Sequence, residues 1–238
     1  MNLASGRQPG AVLRDGLAAA WPICLGYFPI GMALGVLAGQ AGLTAVDIGL
    51  MSVLVFAGSA QFIAVAMLAA GSSPASIIAT TFVVNFRHVL MSSALAVHLH
   101  GVNRRFLALF AYGVTDESFA VNMARFRKGN WDRWRALAVH HSANGVWIVA
   151  TMTGALVGSL IPEGAFGIDF ALPAMFLALL VMQFQSRIHV LTAILAAAVS
   201  VGCCLFIPGD SNAVIAAVTA ASVGYLLQRR KDHREKVR

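Results

Sequence analysis

Apolar residues fall in blocks of about twenty along this chain, parted by short polar or basic stretches. At ~1.5 Å per residue such a block crosses a bilayer as a helix. The period-two alternation of a membrane barrel is absent. The pattern predicts an all-α, polytopic helical membrane protein. Seven spans read directly, at about 16–38, 46–70, 74–98, 136–161, 169–186, 188–207 and 212–227. An eighth block, 106–123, carries Thr115-Asp116-Glu117 at its centre. Adjacent acids make it a poor lipid-facing span, so it reads as a span beside a polar cavity, a re-entrant half-helix or an interfacial segment, or else as a solvated loop helix with no membrane role. The expectation is seven membrane helices, or eight if this block also crosses.

Polar residues inside the apolar blocks carry the functional argument. The second span holds Phe56-Ala57-Gly58-Ser59-Ala60-Gln61-Phe62 near its middle. A buried amide in hydrocarbon costs several kcal/mol without partners, so Gln61 must face protein, water or a ligand. The third span holds Asn85-Phe86-Arg87-His88, with Arg87 about eleven residues from either end. That is roughly 16 Å, too far for snorkelling, so Arg87 faces a cavity or a counter-charge. Asp116 or Glu117 is the candidate partner. In the first span, Pro29 removes a backbone donor inside Gly26-Tyr27-Phe28-Pro29-Ile30-Gly31, which predicts a kinked or broken first helix. His140 and Asn144 share a helix face and read as a cavity-lining stripe. Adjacent His140 and His141 point to different faces and no third ligand follows, so no metal site is expected.

Composition agrees with the pattern: 58% hydrophobic, 11% charged and mean hydropathy +0.76 exclude an ordinary soluble domain. The 238 residues read as a single integral membrane domain, embedded over about 16–227 and closed by a basic tail at 229–238. The net charge of +7 resides in loops and tails beside apolar spans, which points to lipid headgroups and membrane orientation, with no nucleic-acid partner. Cys24, Cys203 and Cys204 lie in apolar runs and read as free thiols. Arg7 and Arg14 precede the first block, which is too long for a signal peptide and reads as the first membrane helix.

Sliding the chain by 122 residues aligns 32–62 with 154–184, matching Asp47 with Asp169 and Gln61-Phe62 with Gln183-Phe184. A duplicated helical hairpin is one reading and chance similarity in an apolar chain the other. With seven spans the copies are inverted; with eight they are parallel. Charge does not choose. Seven spans leave Arg7 and Arg14 outside, eight leave Arg104 and Arg105, and both put the C-terminus in the cytoplasm. The paired acids tip the expectation toward seven spans and an inverted repeat, which suits alternating access.

Phe56-Ala57-Gly58-Ser59-Ala60-Gln61-Phe62, then Asn85-Phe86-Arg87-His88 with Ser92 and Leu95, then Thr115-Asp116-Glu117-Ser118-Phe119-Ala120 resemble the AzlC family in order and spacing. Pro29-Ile30-Gly31-Met32-Ala33-Leu34-Gly35-Val36 and Asp169-Phe170-Ala171-Leu172-Pro173-Ala174 are similar to it too. The resemblance covers about 16–227. It implies the large subunit of a two-component inner-membrane exporter of branched-chain and other large neutral amino acids (valine, isoleucine, leucine, methionine). It also implies proton coupling and a small AzlD-like membrane subunit as partner.

An amino acid presents a carboxylate, an ammonium and an apolar side chain. Arg87 offers a fork for the carboxylate, and Asp116 or Glu117 would hold the ammonium or carry the coupling proton. Gly58, Ser59, Gln61, Asn85, Pro29 and Gly31 would complete the substrate site, with His88 beside Arg87 as a further protonatable group. Phe56, Phe62 and Phe86 would wall it. The other reading of Gly58-Ser59-Ala60 is tight helix packing. An uncoupled channel is the alternative transport reading. An enzyme is not expected, since HExxH, GxSxG, CxxC and nucleotide-binding loops are missing from the sequence and no cofactor is implied.

Overall fold

A computed structural model describes residues 9–158, 187–206 and 212–237, with single positions at 160, 170, 177, 181 and 184. The helices among them are α1 (Pro9–Gln40), α2 (Ala45–Leu54), α3 (Gly58–Ala69), α4 (Pro74–Ala96), α5 (Arg104–Tyr112), α6 (Asp116–Arg127), α7 (Arg133–Gly158), α8 (Arg187–Phe206) and α9 (Asn212–Val237). No strand occurs among the described residues. α1, α4 and α8 are each long and apolar enough to cross a membrane. The expected span at 169–186 lies outside the described residues apart from Phe170, Leu177, Val181 and Phe184.

The first helix is not broken. α1 runs unbroken for 32 residues with Pro22 and Pro29 both inside it. A proline removes one hydrogen bond, and neighbouring helices can carry the helix through it. Here the neighbour is α7. Gly31 lies against Ala150 and Thr151, and Gly35 against the backbone of Thr151, Gly154 and Ala155. A Cβ at Gly35 would come 2.1 Å from the Thr151 carbonyl oxygen, and one at Gly154 would come 2.1 Å from that of Met32. Glycines therefore set this approach, as small residues do between membrane helices.

The order of these contacts gives the direction of the pair. Gly16 meets Ala138, Met32 meets Gly154 and Val36 meets Gly158, so the two helices run parallel. Each of these pairs is separated by 122 residues, the offset of the sequence repeat. Positions 122 residues apart thus touch across a parallel seam. This corrects the inverted repeat: an in-plane two-fold would set equivalent helices antiparallel. The second copy's later part, 161–183, lies almost wholly outside the described residues.

The breaks fall elsewhere. The second apolar block divides at Val55-Phe56-Ala57, where Phe56 has φ +38° although only 2% exposed. A bulky residue in the left-handed region is strained, so packing must hold it. Tyr27 and Tyr112 flank its ring at centroid distances of 6.3 and 6.2 Å. The block with the paired acids divides too, at Gly113-Val114-Thr115. Its acids open α6, where the positive end of a helix dipole favours them, and Thr115 and Ser118 close a capping box around that end. Two interrupted helices thus stand where one span and one open element were expected.

The chain forms two compact units, 1–66 with 84–171, and 67–83 with 172–238. In the first, Leu95, Leu99, Phe110, Val114 and Ala136 form a buried apolar cluster. Arg135 fastens α7 to α1 through an ion pair to Asp15 at 2.8 Å, and it also pairs with Asp132. In the second unit α8 packs on α9, with Gly224 against Thr192. α9 runs past the expected end of its span to Val237, so the basic tail continues as helix.

Candidate functional site

The two breaks converge on Arg87 of α4. One guanidinium nitrogen pairs with Asp116 Oδ2 at 2.7 Å, at the first residue of α6. Another donates a short hydrogen bond to the Ser59 hydroxyl, at the second residue of α3. No side chain caps α3, so the amides of Gly58, Ser59 and Ala60 have no hydrogen-bond partner among the described residues. Nε of Arg87 is buried and unpartnered, and so is Oδ1 of Asn85, two residues before it in α4. Arg87 and Asp116 keep 31% and 41% of their side-chain surface open, so a ligand can reach the pair. Free helix amides, a guanidinium with a spare N–H and an exchangeable counter-ion together suit a carboxylate.

Glu117 has a different environment. Tyr27 of α1, itself buried, lies with its hydroxyl 2.6 Å from Glu117 Oε2 and 2.8 Å from Thr115 Oγ1. A phenol has one proton to give, and the carboxylate is the stronger acceptor, so the Thr115 hydroxyl donates to the phenol oxygen. The sequence left open which acid meets Arg87. In the fold it is Asp116, and Glu117 turns to a neutral hydroxyl.

Gln61 is placed apart from the charges. Only 1% exposed, it accepts from Trp147 Nε1 at 2.9 Å and donates to Ser52 Oγ at 3.3 Å. Ser52 continues to Thr151 Oγ1 at 2.8 Å, which bonds the Ile148 carbonyl at 3.0 Å. Both ends of the amide are satisfied by protein, and the chain ties α2, α3 and α7 together. Trp147 then packs edge-on against Tyr27 at 5.2 Å, and Gly58 leaves room for its indole, whose edge a Cβ there would meet at 3.1 Å. Gln61 thus supports the wall behind Tyr27.

The remaining expected residues divide. His88 turns back to its own helix, with Nδ1 donating to the Asn85 carbonyl at 3.2 Å. Pro29 is exposed on α1, and Gly31 lies in the α1–α7 seam. Phe56 and Phe62 are buried, and Phe86 is exposed. The expected His140–Asn144 stripe splits: His140 is fully buried against Ser118 and Asn122, whereas Asn144 stands 3.5 Å from the Tyr112 hydroxyl. That hydroxyl also donates a short bond to the Val53 carbonyl, joining the end of α5 to the end of α2. Sequence reading missed Tyr27, Trp147 and Tyr112. Each sits in an apolar stretch where an aromatic residue is unremarkable, and only its distant partner reveals the role. Among the described residues no group of metal-ligating side chains forms.

Fold and site define a polytopic helical membrane protein whose polar centre is built on interrupted helices. The chain belongs to the AzlC family: the model of the AzlC protein matches residues 22–161. It is 32% identical over 187 residues to the inner membrane protein YgaZ of Escherichia coli, covering 75% of this chain and 76% of that one. It is 27% identical over 225 residues to the branched-chain amino acid transport protein AzlC of Bacillus subtilis, covering 94% of this chain and 87% of that one. An uncharacterized membrane protein of Archaeoglobus fulgidus is 32% identical over 193 residues, or 80% of this chain and 84% of its own. No solved structure matches the chain.

Proposed function

We propose that this chain is the large subunit of a proton-coupled secondary exporter for branched-chain and other large neutral amino acids, working with a small AzlD-like membrane subunit. The observation that carries the reading is Arg87, poised between the openings of α3 and α6 and paired with a reachable Asp116. Half-helix openings of this kind receive the carboxylates of transported solutes. The substrate carboxylate takes the place of Asp116 on Arg87 and accepts from the α3 amides. Of the two acids Asp116 pairs with Arg87 and Glu117 with a neutral hydroxyl, and an uncompensated charge is costly at mid-membrane. Glu117, held by the neutral Tyr27, carries the proton, and Asp116 is the counter-charge of Arg87. The family membership and the named transport function of the Bacillus relative support the substrate class.

The parallel α1–α7 pair supports eight crossings. Two parallel helices need an odd number of crossings between them, and the interrupted α2–α3, the continuous α4 and the interrupted α5–α6 supply three. Both termini then lie in the cytoplasm, with Arg104 and Arg105 outside. The test is export from dipeptide-loaded cells: Arg87→Ala reaches the membrane and exports no branched-chain amino acid. Normal export by that variant removes Arg87 from the mechanism.

A further inference from the structure

His140 is fully buried in α7 and no step of the proposed transport uses it. Its proton placement follows from its neighbours. Trp131 can only donate, and its Nε1 lies 2.8 Å from Asn122 Oδ1, which fixes the orientation of that amide. Asn122 Nδ2 therefore faces the Ala136 carbonyl and His140 Nε2, each at 3.3 Å, so Nε2 is an acceptor. The ring proton is left on Nδ1 and donates to Ser118 Oγ at 2.9 Å. Ser118 also accepts from the Thr115 amide at 2.9 Å, and its own proton has the Gly113 and Thr115 carbonyls in reach, each at 3.3 Å. Thr115 leads through Tyr27 to Glu117. The path from Trp131 to Glu117 runs through Asn122, Ser118 and Thr115, each 5% exposed or less.

We propose that His140, as the neutral Nδ1–H tautomer, is the positioning residue for Glu117: it holds the Ser118 hydroxyl, and so fixes the α6 opening on which Glu117 and Asp116 stand. The ring is seated for this. Gly113 lies against it so closely that a Cβ there would come 2.5 Å from His140 Cβ, and Phe110 meets it edge-on at 4.6 Å. His141, next in sequence, lies instead beside Tyr112. The titratable and charged groups around the α6 opening are Tyr27 and Glu117, which the path reaches through Thr115, then Asp116 with Arg87, and His88 of α4 facing both acids. The proposal rests on the transport reading for the role of Glu117, and not for the geometry.

The test compares His140→Asn with His140→Gln. Asparagine places an amide N–H near the position of Nδ1 and keeps the bond to Ser118; glutamine reaches toward Asn122 and loses it. The first readout is carbodiimide labelling of Glu117 across pH, located by mass spectrometry in the purified full chain, since carbodiimides modify protonated carboxyls. Wild type and His140→Asn should share one labelling midpoint, while His140→Gln and Ser118→Ala move it by about one pH unit. The second readout is export, where His140→Gln should lose about tenfold in turnover with KM little changed. Equal midpoints in all four proteins, or equal shifts for Asn and Gln, overturn the proposal, whatever the melting temperatures show. A wild type that labels as expected yet exports no amino acid would instead count against the transport reading.

Discussion

Tyr27 of α1 donates its phenolic proton to Glu117 of α6 across 2.6 Å, while the adjacent Asp116 meets Arg87 of α4 at 2.7 Å. Neighbours in sequence, the two acids have unlike partners, one a neutral hydroxyl and the other a full positive charge. One segment thereby turns two adjacent carboxylates to two different helices.

This division predicts unlike phenotypes. Glu117→Gln should still bind amino acid but lose the dependence of export on the pH gradient. Asp116→Asn frees Arg87, so KM for export should fall while turnover falls as well, because the substrate has no competitor to displace it. Kinetics in proteoliposomes at several pH gradients check both. Wild-type gradient dependence in Glu117→Gln, or an unchanged KM in Asp116→Asn, would refute the assignment.

Gln61 should behave as a structural residue. Gln61→Leu leaves the Trp147 N–H and the Ser52 hydroxyl without their buried partner, a loss of about 1–3 kcal/mol. Thermal unfolding in detergent should show the loss, and KM for the substrate should not change. A raised KM at unchanged stability would place Gln61 in the substrate site instead.

The α1–α7 seam admits no extra methyl. Gly35→Ala and Gly154→Ala would press a Cβ onto backbone atoms at 2.1 Å, costing about 1–3 kcal/mol or more. Gly26→Ala in the same helix meets nothing within 4 Å and should be neutral, or stabilising by up to ~1 kcal/mol. The melting temperatures of the three variants rank the effect directly.

Eight crossings put the α4–α5 and α6–α7 connections on opposite faces of the membrane, whereas seven put them on one face. In a chain whose native cysteines are replaced, His100→Cys should react with an impermeant maleimide from outside and Lys128→Cys only after permeabilisation. Labelling of both from the same side would remove the α5–α6 crossing.

The sequence by itself determined the class, because twenty-residue apolar blocks have one economical arrangement in a bilayer. It also singled out Arg87 and the Asp116-Glu117 pair, since charge at mid-span is too costly to be incidental. It located the 122-residue offset as well, though not the relation between the copies. What only the tertiary structure decided is where the helices break, how the copies run and which acid meets the arginine. Pro29 signalled a break that packing on α7 carries through, while Phe56 carried no local signal for the break that tertiary contacts hold. The seam's direction resides in Gly16, Gly35 and Gly154, whose meaning depends on the surface each faces. Asp116 and Glu117 are chemically alike and adjacent. Only the fold brings Arg87 to one and Tyr27 to the other, because a side chain's partner is set by packing across elements that sequence order does not record.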